Sequence, residues 1–444
     1  MLSERLNVIL INPLDPVLAI GYPTSRPPYD LLYLDSYLYH KQIGTDLLDV
    51  ENEAISEIDF GKYIEKKEAR YYVINTTGRT HHFHNFKKAR RHIKRIISII
   101  RKINPRAFII FTGESAIVYV KRYFYFDVDC ILFDEPEYTL FEIVSNKITN
   151  PEQLRGIKGI YYRDNGVFIK NVPRDSMKSL DELPPPRWEK LGGYFWDSPY
   201  RQRREFIDIP GMRGCPYNCG FCKSSLSKKV LSHSPSYLLE QIRVLHADFG
   251  YADFFIRDAG YFDDDLRCQQ LCEGLKEIKG IIWKCNARID NMSLEKLKLM
   301  KDSGCSLISY GGESGNDETL KIENKRISTE DIKQTIAITK ESGIKVAVYF
   351  ILDFPSESFR DKLRTLIFAR GLNADVLYIN QYYLLKDAGR IKTIITSFEL
   401  LLNILLASLL LMNNSNVVYL RKIRINNIGA NLGHYFIHKS KIKW

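Results

Sequence analysis

Between about residues 201 and 388, six short apolar runs alternate with helical stretches. The runs occupy residues 206–209, 254–257, 281–286, 307–310, 346–352 and 376–380. Roughly 30 residues per strand–helix unit is the spacing of an eightfold β/α barrel of about 250 residues. The pattern therefore predicts an α/β protein whose residues 201–388 form a partial, TIM-like (β/α)6 barrel.

The first 147 residues show a similar alternation, with strand-like runs at 7–11, 45–50, 71–75, 107–111 and 130–133. This pattern predicts a Rossmann-like open parallel sheet, in which a ligand lies at the carboxyl ends of the strands. Residues 148–200 are interpreted as a connector with a small hairpin and a proline-rich stretch. Residues 389–444 form a tail without an assigned domain, in which 394–412 is predicted to be an apolar helix.

Three cysteines follow the first barrel strand with the spacing C-x3-C-x2-C: Cys215, Cys219 and Cys222. Three thiolates on one loop can hold three irons of a 4Fe–4S cluster. Since no fourth cysteine lies nearby, one iron would stay open to another ligand. Two alternatives are a structural zinc completed by a distant His and three unrelated buried thiols, but zinc ligands usually come as two cysteine pairs.

The composition is that of a folded, soluble protein, with 45% hydrophobic and 26% charged residues among 444. Lys and Arg exceed Asp and Glu by 64 − 53 = 11. The densest basic patch, residues 87–95, carries isoleucines at helical spacing (Ile93, Ile96, Ile97, Ile100). We therefore interpret the patch as the solvated face of an amphipathic helix and expect no nucleic-acid partner.

Eight cysteines, three of them clustered, favour a reducing cytoplasm over a disulfide framework. The N-terminus shows no signal-peptide pattern. The apolar stretch 394–412 approaches the ~20 residues that span a bilayer, but Glu399 would be costly there. A buried or surface-lying helix is the preferred interpretation, which leaves contact with a membrane surface open.

Several stretches resemble the radical S-adenosylmethionine (SAM) superfamily. They are the cysteine loop 213–222, Asp258 with Phe262, and residues 286–288, 310–315 and 350–357. Over residues 7–385 the chain is most similar to the subgroup with an N-terminal cobalamin (B12)-binding domain, which includes methylases and anaerobic ring-forming cyclases.

The resemblance implies a site at the barrel mouth, where the strand ends converge. The cysteines would hold the cluster, and SAM would be bound by Phe221, Asp258, Arg288, Gly311, Gly312 and Glu313. A guanidinium can pair with the SAM carboxylate, and a glutamate can accept hydrogen bonds from ribose hydroxyls or the amino group. As alternatives, Arg288 and Glu313 form a salt bridge with each other, and Asp258 caps a helix.

In the first domain, the resemblance implies cobalamin contacts from Asn12, Thr77, Gly113 and Glu137. The loops depart from the subgroup, however. Residues 112–115 (TGES) replace two glycines followed closely by His, and 134–137 (DEPE) replace Gly-Glu-Gly-Glu. The Asp-x-His-x-x-Gly loop that supplies cobalt's lower ligand elsewhere is also absent. Cobalamin binding and a retained shell without cobalamin therefore both stay open.

The resemblance also implies a reaction. A reduced cluster would cleave SAM to a 5′-deoxyadenosyl radical, which removes hydrogen from an unactivated carbon. With cobalamin, this chemistry suits methylation, rearrangement or cyclisation of a small or lipid-like substrate. The electron would come from an external donor such as ferredoxin or flavodoxin.

Two alternatives are a cobalamin-free hydrogen-abstracting enzyme and a degenerate or truncated chain that binds SAM and a cluster without turnover. The second draws on the sixth strand, where the usual Pro-Gly-Thr is missing near residues 380–387.

Overall fold

The computed structural model describes residues 6–13, 27–50, 55–67, 69–76, 86–118, 120–191, 201–222, 229–382, 417–420 and 435–437. The chain divides into two compact units, Met1–Pro199 and Tyr200–Trp444. The α/β class and the two parallel sheets agree with the prediction. The predicted apolar helix at 394–412 and Thr77 lie outside the described residues.

The first unit is built on a seven-stranded sheet in the order β2-β1-β3-β4-β5-β6-β7. Its five parallel strands are β1 (Leu6–Asn12), β2 (Gly44–Asp49), β3 (Tyr71–Asn75), β4 (Phe108–Thr112) and β5 (Cys130–Leu132). Its helices are α1 (Tyr29–His40), α2 (Glu57–Lys67), α3 (Phe86–Ile103), α4 (Glu114–Val118), α5 (Val120–Tyr123) and α6 (Pro136–Ser145). The order reverses between β1 and β3, which creates the switch point where open α/β sheets bind ligands.

The hairpin interpreted as part of a connector joins this sheet. Its strands β6 (Ile160–Asp164) and β7 (Val167–Lys170) extend the sheet antiparallel beyond β5. Three 3-10 turns follow or flank them, at Glu152–Gly156, Leu180–Glu182 and Trp188–Leu191. Most of residues 148–200 therefore belong to the first unit.

The basic helix α3 packs as its spacing predicts. Ile93, Ile96, Ile97 and Ile100 are buried in the core of the first unit. Lys94 and Arg95 on the same helix are exposed. The charges on this part of α3 thus lie on the outer face of an amphipathic helix.

The second unit contains the six predicted barrel strands. They are β8 (Phe206–Ile209), β11 (Asp253–Ile256), β12 (Ile282–Ala287), β13 (Cys305–Glu313), β14 (Lys345–Leu352) and β15 (Val376–Gln381). Neighbouring strands pair in parallel in the order β15-β14-β13-β12-β11-β8. The short strands β9 (Met212–Arg213) and β10 (Leu231–Ser232) pair separately on either side of the cysteine loop.

Each barrel helix begins where a small polar residue caps it. The helices are α7 (Pro235–Ala247), α8 (Asp265–Lys276), α9 (Leu294–Asp302), α10 (Asp317–Ile322), α11 (Thr329–Glu341) and α12 (Phe359–Gly371). Their caps, in order, are Ser234, Asp264, Ser293, Asn316, Ser328 and Ser358. Each cap side chain accepts a hydrogen bond from an N–H group in the first turn of its helix. The caps therefore fix the residue at which each strand-to-helix loop ends and the helix begins.

The tail, for which the sequence predicts no domain, adds two strands to the barrel sheet. β16 (Val417–Leu420) pairs in parallel with β15, and β17 (Tyr435–Ile437) pairs antiparallel with β16. Both runs are rich in β-branched and aromatic residues and supply hydrogen bonds to an otherwise open sheet edge. Within the described parts of the chain, no helix has both the length and the apolar character needed to cross a membrane.

Candidate functional site

The cysteine loop leaves β9 through a turn that only glycine tolerates. Gly214 has φ +78°, and a Cβ there would lie 1.9 Å from the backbone oxygen of Lys229. The approach to this turn is fixed by Asp258, whose Oδ2 accepts the N–H groups of Gly211 at 2.6 Å and Met212 at 3.1 Å. Asp258 makes no side-chain capping bond to the 3-10 turn that follows it, so the helix-cap alternative does not describe its contacts.

The three thiols of the loop lie partly inside the barrel mouth. Cys219 is buried, whereas Cys215 and Cys222 are half-buried. Burial raises the pKa of Cys215 and of Cys219 above the ordinary thiol value. Because metal ligation requires thiolates, iron binding here would release protons. Among the described residues, no three His, Cys, Asp or Glu side chains converge as ligands of one metal ion.

A segment after α10, Glu323 to Arg326, holds the loop from the other side; we call it the clamp segment. The N–H of Gly220 donates to the backbone oxygen of Glu323 at 2.8 Å, and Asn324 Nδ2 donates to the backbone oxygen of Asn218 at 2.9 Å. Asn324 and Arg326 both adopt left-handed φ values, 51° and 60°. Such strained backbone at two positions indicates that the surrounding contacts determine the shape of the segment.

Arg288, at the end of β12, is held in place by three hydrogen bonds. Its Nε and Nη2 donate to the two carboxylate oxygens of Asp290 at 2.8 and 2.7 Å. Nη2 also donates to the backbone oxygen of Lys325 in the clamp segment, at 3.2 Å. The bidentate pair fixes the plane of the guanidinium, and Asp290 is the group that a ligand carboxylate would replace or join.

Glu313, at the end of β13, pairs with Lys325 rather than with Arg288. Lys325 Nζ donates to Glu313 Oε1 at 2.9 Å, and Glu313 is 8% exposed. Glu313 also has a left-handed φ of 62°. The predicted alternative of an Arg288–Glu313 salt bridge is therefore not what the structure shows, because each residue has another partner.

The two glycines before Glu313 make this geometry feasible. A Cβ on Gly311 would lie 2.2 Å from Glu313 Oε1 and 2.8 Å from Lys325 Nζ. A Cβ on Gly312 would lie 3.0 Å from Val348 Cγ1, on the other side of the strand. The Glu313–Lys325 pair thus occupies the space that a side chain at position 311 would fill.

Phe221 connects the cysteine loop to the clamp segment and to the loop that follows β14. Its ring centre lies 5.7 Å from Lys325 Nζ and 5.8 Å from the ring of Phe354, edge to face. The Phe354 ring lies 5.2 Å from that of Tyr382. This row of rings offers apolar faces beside the polar groups at the strand ends.

The structure therefore brings most of the predicted residues of the second unit into one contact network. The cysteine loop, Phe221, Arg288, Gly311 and Glu313 are joined through the clamp segment, chiefly by Lys325. Gly312 lies next to Glu313 in β13, against Val348. Asp258 lies behind the loop and holds its backbone. Three further members were not predicted: Lys325, which touches Glu313, Tyr217, whose ring stacks on Arg288, and Asp290, whose carboxylate pairs with Arg288.

In the first unit, three of the four predicted cobalamin residues lie at carboxyl ends of strands. Asn12 ends β1, is 3% exposed and donates from Nδ2 to Asp49 Oδ1 at 2.8 Å. Gly113 follows β4 with φ +97°, and Glu137 is fully buried in the first turn of α6. The fourth, Thr77, is outside the described residues.

The departures from the expected loop at 134–137 fit the helix that begins there. Pro136 occupies the first turn of α6, where a missing N–H costs nothing. Glu135 precedes it with φ +39°, a left-handed conformation. The loop after β5 therefore makes a sharp turn without the two glycines that the family resemblance predicts there.

The other cysteines of the barrel are buried thiols, as predicted. Cys268, Cys272, Cys285 and Cys305 all lie in the interior. Burial raises the pKa of Cys285 well above the ordinary thiol value. They pack as small apolar side chains.

A loop with three cysteines after the first strand of a partial parallel barrel can supply three ligands of an iron–sulfur cluster. Residues 209–369 match the family model of the radical SAM superfamily. These residues form a radical SAM domain, and the chain is a radical SAM enzyme. The domain implies a 4Fe–4S cluster and SAM as cofactors.

Two curated proteins illustrate the relationship. An uncharacterized methyltransferase of Pyrococcus horikoshii is 26% identical over 364 residues, covering 79% of this chain and 75% of that protein. The anaerobic magnesium-protoporphyrin IX monomethyl ester cyclase of Rubrivivax gelatinosus is 25% identical over 265 residues. This match covers 56% of the chain but only 46% of the cyclase, so the chain spans about half of that relative.

Two solved structures share the fold across both units. The radical SAM methyltransferase TsrM from Kitasatospora setae, with cobalamin and a 4Fe–4S cluster bound, matches with a TM-score of 0.68 at 15% identity over 86% of this chain and 73% of that one. The cobalamin-dependent SAM radical enzyme OxsB matches with a TM-score of 0.70 at 19% identity, over 87% of this chain and 54% of that one. The predicted arrangement of an open sheet followed by a partial barrel is thereby confirmed.

Proposed function

We propose that this chain holds a 4Fe–4S cluster with Cys215, Cys219 and Cys222 and uses SAM to activate an unreactive carbon of a small-molecule substrate. The outcome would be methylation, or rearrangement and cyclisation, with cobalamin taking part. The observation that carries the proposal is the contact network that joins the cysteine loop to Arg288, Glu313 and Lys325. The two named relatives, a methyltransferase and a cyclase, support this range of reactions.

The donor set fits the cluster. Soft thiolates are the ligands that iron–sulfur clusters take, and three of them leave one iron of four without a cysteine. When bound and reduced, such a cluster supplies the electron that cleaves SAM to a 5′-deoxyadenosyl radical. The half-buried Cys215 and Cys222 lie at the open side of the loop, whereas Cys219 is covered by protein.

The chain's own residues would bind and orient SAM. Arg288 presents a fixed guanidinium for the carboxylate of the methionine moiety, with Asp290 as the group displaced or shared. Glu313 accepts hydrogen bonds from ribose hydroxyls or the amino group, and Lys325 holds Glu313 ready. Phe221 and Phe354 would shield the adenine from water. Asp258 positions the loop through Oδ2. Its other carboxylate oxygen, Oδ1, would be a further acceptor for SAM.

Cobalamin would lie at the carboxyl edge of the first unit's sheet, held by Asn12, Gly113 and Glu137, with Thr77 as a further candidate. The residues there are small or polar, and the edge lies at the switch point between β1 and β3. Cobalamin, when bound, supplies a carrier for a methyl group or an electron.

One observation favours the cobalamin-free alternative. Side chains along this edge already have hydrogen-bond partners: Asn12 donates to Asp49, and Thr76 Oγ1 donates to the backbone oxygen of Thr112 at 2.6 Å. A sheet edge with satisfied polar groups has less to offer a ligand. Corrin absorbance of protein reconstituted with hydroxocobalamin separates the two functions.

An external ferredoxin or flavodoxin is the proposed electron source, and the protein is proposed to work in the cytoplasm. Contact with a membrane surface through residues 394–412 stays a prediction from the sequence, as does the lipid-like character of the substrate. The isoleucines of α3 pack inward, so the described side chains of this helix do not favour a nucleic-acid partner.

The experiment is anaerobic reconstitution with iron and sulfide, followed by reduction in the presence of SAM. We expect release of 5′-deoxyadenosine from the wild-type chain and none from Cys219→Ala. Cys272→Ala, which removes a buried thiol on α8, is the matched control and should keep the activity. Release that persists in Cys219→Ala refutes the proposal, and a wild-type chain without release supports a degenerate protein.

A further inference from the structure

The two faces of the barrel strands differ in what they contact. Tyr310 of β13 bonds through its hydroxyl to Thr339 Oγ1 of α11 at 2.9 Å. Phe350 of β14 meets Phe368 of α12 at 6.1 Å between ring centres. Side chains alternate along a strand, so Ser309, Gly311 and Tyr349 face away from the helices, into the barrel interior.

Strand register arranges these interior residues in layers. Asn286 of β12 pairs with Ser309, and Ser309 pairs with Ala347 of β14. One layer nearer the mouth, Gly311 pairs with Tyr349, which pairs with Tyr378 of β15. Asn380 lies two residues beyond Tyr378 on the same face. We call Asn286, Ser309, Tyr349, Tyr378 and Asn380 the interior site.

Below this site, the charges of the barrel interior cancel in pairs. Lys284 and Asp253 form a salt bridge in which both side chains are fully buried. Above them, Arg257 Nε lies 3.2 Å from Asp208 Oδ2. Since each cation already has a carboxylate partner, the floor of the interior site favours a neutral group over an anion.

Three polar atoms of the interior site lack a hydrogen-bond partner within the described part of the chain. They are Ser309 Oγ, Asn286 Oδ1 and Asn380 Oδ1. Ser309 is 2% exposed, and the Nδ2 of Asn286 is already used, since it donates to the backbone oxygen of Arg257. A buried polar atom without a partner is destabilising, so such atoms point to a ligand that completes them.

Two of these three atoms can only accept a hydrogen bond, and the hydroxyl of Ser309 can also accept. The N–H of a pyrrole or indole donates a hydrogen bond and accepts none. It therefore suits a site whose unpartnered atoms are acceptors. A sugar hydroxyl can donate to the same oxygens, so the shape of the site decides between the two kinds of ligand.

The interior site also offers a flat surface. The rings of Tyr349 and Tyr378 stack with centres 4.5 Å apart and planes at 15°. Tyr349 is half-buried. Tyr378, on the neighbouring strand, is 7% exposed, and its ring covers one face of the Tyr349 ring. A planar ring that enters the barrel mouth can stack in parallel on this pair.

We propose that the interior site binds the reacting part of the substrate and that this part is a neutral nitrogen heterocycle with an N–H donor, of the pyrrole or indole kind. The inference deepens the proposed function, on which it rests. The ring stacks against Tyr349 and donates to Ser309 Oγ, one layer below Gly311 and two below Glu313.

The test is ligand-observed NMR on the reconstituted holoprotein with an oxidised cluster and saturating SAM, so that the adenine site is filled. The probes are indole, 1-methylindole and methyl glucoside. We expect indole to bind at least about tenfold more tightly than 1-methylindole, which lacks the donor, and methyl glucoside not to bind. Equal binding of the two indoles, preference for the glucoside, or no binding by any probe overturns the inference.

A pair of serine variants on β13 tests the location. Ser309→Ala removes a hydroxyl that has no partner and should weaken indole binding about threefold to tenfold. Ser306→Ala is the matched control, because the Ser306 hydroxyl already donates to the backbone oxygen of Trp283 at 3.2 Å. If both variants bind indole as the wild type does, the interior site is not where the probe lies.

The result is independent of turnover. Release of 5′-deoxyadenosine by the same preparation reports on the proposed function alone. If indole binds but no 5′-deoxyadenosine is released, the interior site stands and the proposed function fails. If 5′-deoxyadenosine is released but indole does not bind, the proposed function stands and the interior site fails.

Discussion

The guanidinium carbon of Arg288 lies 3.5 Å from the ring centre of Tyr217, so the cysteine loop itself forms one face of the arginine's site. The hydroxyl of Tyr217 donates to Asp263 Oδ2 at 2.7 Å, which fixes the ring from its far end. Arg288 is therefore held between a ring from the cluster loop and the carboxylate of Asp290. Tyr217 acts as a positioning residue: loop order and arginine orientation depend on each other.

Replacing Tyr217 tests this coupling. A cation stacked on an aromatic ring contributes about 0.5–2 kcal/mol, so Tyr217→Leu should weaken SAM binding roughly threefold to thirtyfold. Tyr217→Phe keeps the ring and should recover most of the affinity, although it loses the bond to Asp263. SAM binding can be measured by equilibrium dialysis against the reconstituted protein.

Iron content is the control for these two variants. Both should retain as much iron per chain as the wild type, since Tyr217 is not a ligand. If Tyr217→Leu and Tyr217→Phe weaken SAM binding equally, the aromatic ring of residue 217 has no part in holding Arg288.

Gly214 should be essential for an ordered cluster loop. Gly214→Ala places a Cβ against backbone at a left-handed φ, so we expect a large loss of bound iron and a lower melting temperature. Gly220→Ala should be milder, because the one atom too close to its Cβ is in the movable carboxylate end of Glu323, at 2.8 Å, and the Glu323 backbone lies at an ordinary 3.7 Å.

Gly156→Ala is the matched control for the glycine series. A Cβ there meets nothing within 4 Å. Iron content and melting temperature should match the wild type. A Gly214→Ala protein that binds iron normally would show that the loop adopts a different turn.

Much of the barrel could be predicted from the sequence, because each strand is a short apolar run followed by a capped helix. The six predicted strands match the structure within a few residues, and the caps explain why: Ser and Asp at the loop ends fix where each helix begins. The cysteine loop was equally clear, since its spacing and its place after the first strand are local features.

Contacts between distant segments could not be predicted in the same way. Lys325 lies 12 residues beyond Glu313, and a lysine after a short helix has no distinctive signal. Tyr217 and Arg288 are separated by 71 positions (288 − 217), and only the barrel brings them together. The hairpin β6–β7 was recognised locally, but its pairing with β5 depends on the sheet edge that β5 offers.

Asp258 was predicted to bind SAM, and the structure suggests a test of that role. Burial raises the pKa of Asp258, and the N–H groups of Gly211 and Met212 oppose the shift. Asp258→Ala leaves both N–H groups without their partner and should lower the free energy of unfolding by about 2 kcal/mol. Asp258→Asn keeps a carbonyl acceptor and should cost about half as much.

SAM affinity of the Asn variant separates the two roles. If Asp258 only positions the loop, Asp258→Asn should bind SAM nearly as the wild type does. A loss of tenfold or more at unchanged stability would instead place Asp258 in contact with SAM.

Glu357, at the mouth of the barrel, should make stability depend on pH. Burial raises its pKa to about 7, against hydrogen bonds from Ser314 and Phe354 that lower it. The folded state therefore binds a proton more tightly than the unfolded state does. The corresponding stabilisation is fully present below pH 4.5 and is lost as the pH rises through about 7.

Glu357→Gln should flatten the dependence of unfolding free energy on pH between these values. Glu341→Gln, at an exposed position on α11, should leave the dependence as it is. Urea unfolding at several pH values provides the measurement. If the Glu357→Gln profile keeps its full slope, another group carries the effect.

Counting iron and sulfide per chain after anaerobic reconstitution tests the central claim most directly. If Cys215, Cys219 and Cys222 hold one cluster, the wild type and Cys272→Ala should each carry about four irons and four sulfides, and Cys219→Ala far fewer. A colourless, iron-free wild type, or zinc bound at these thiols instead, would contradict the account.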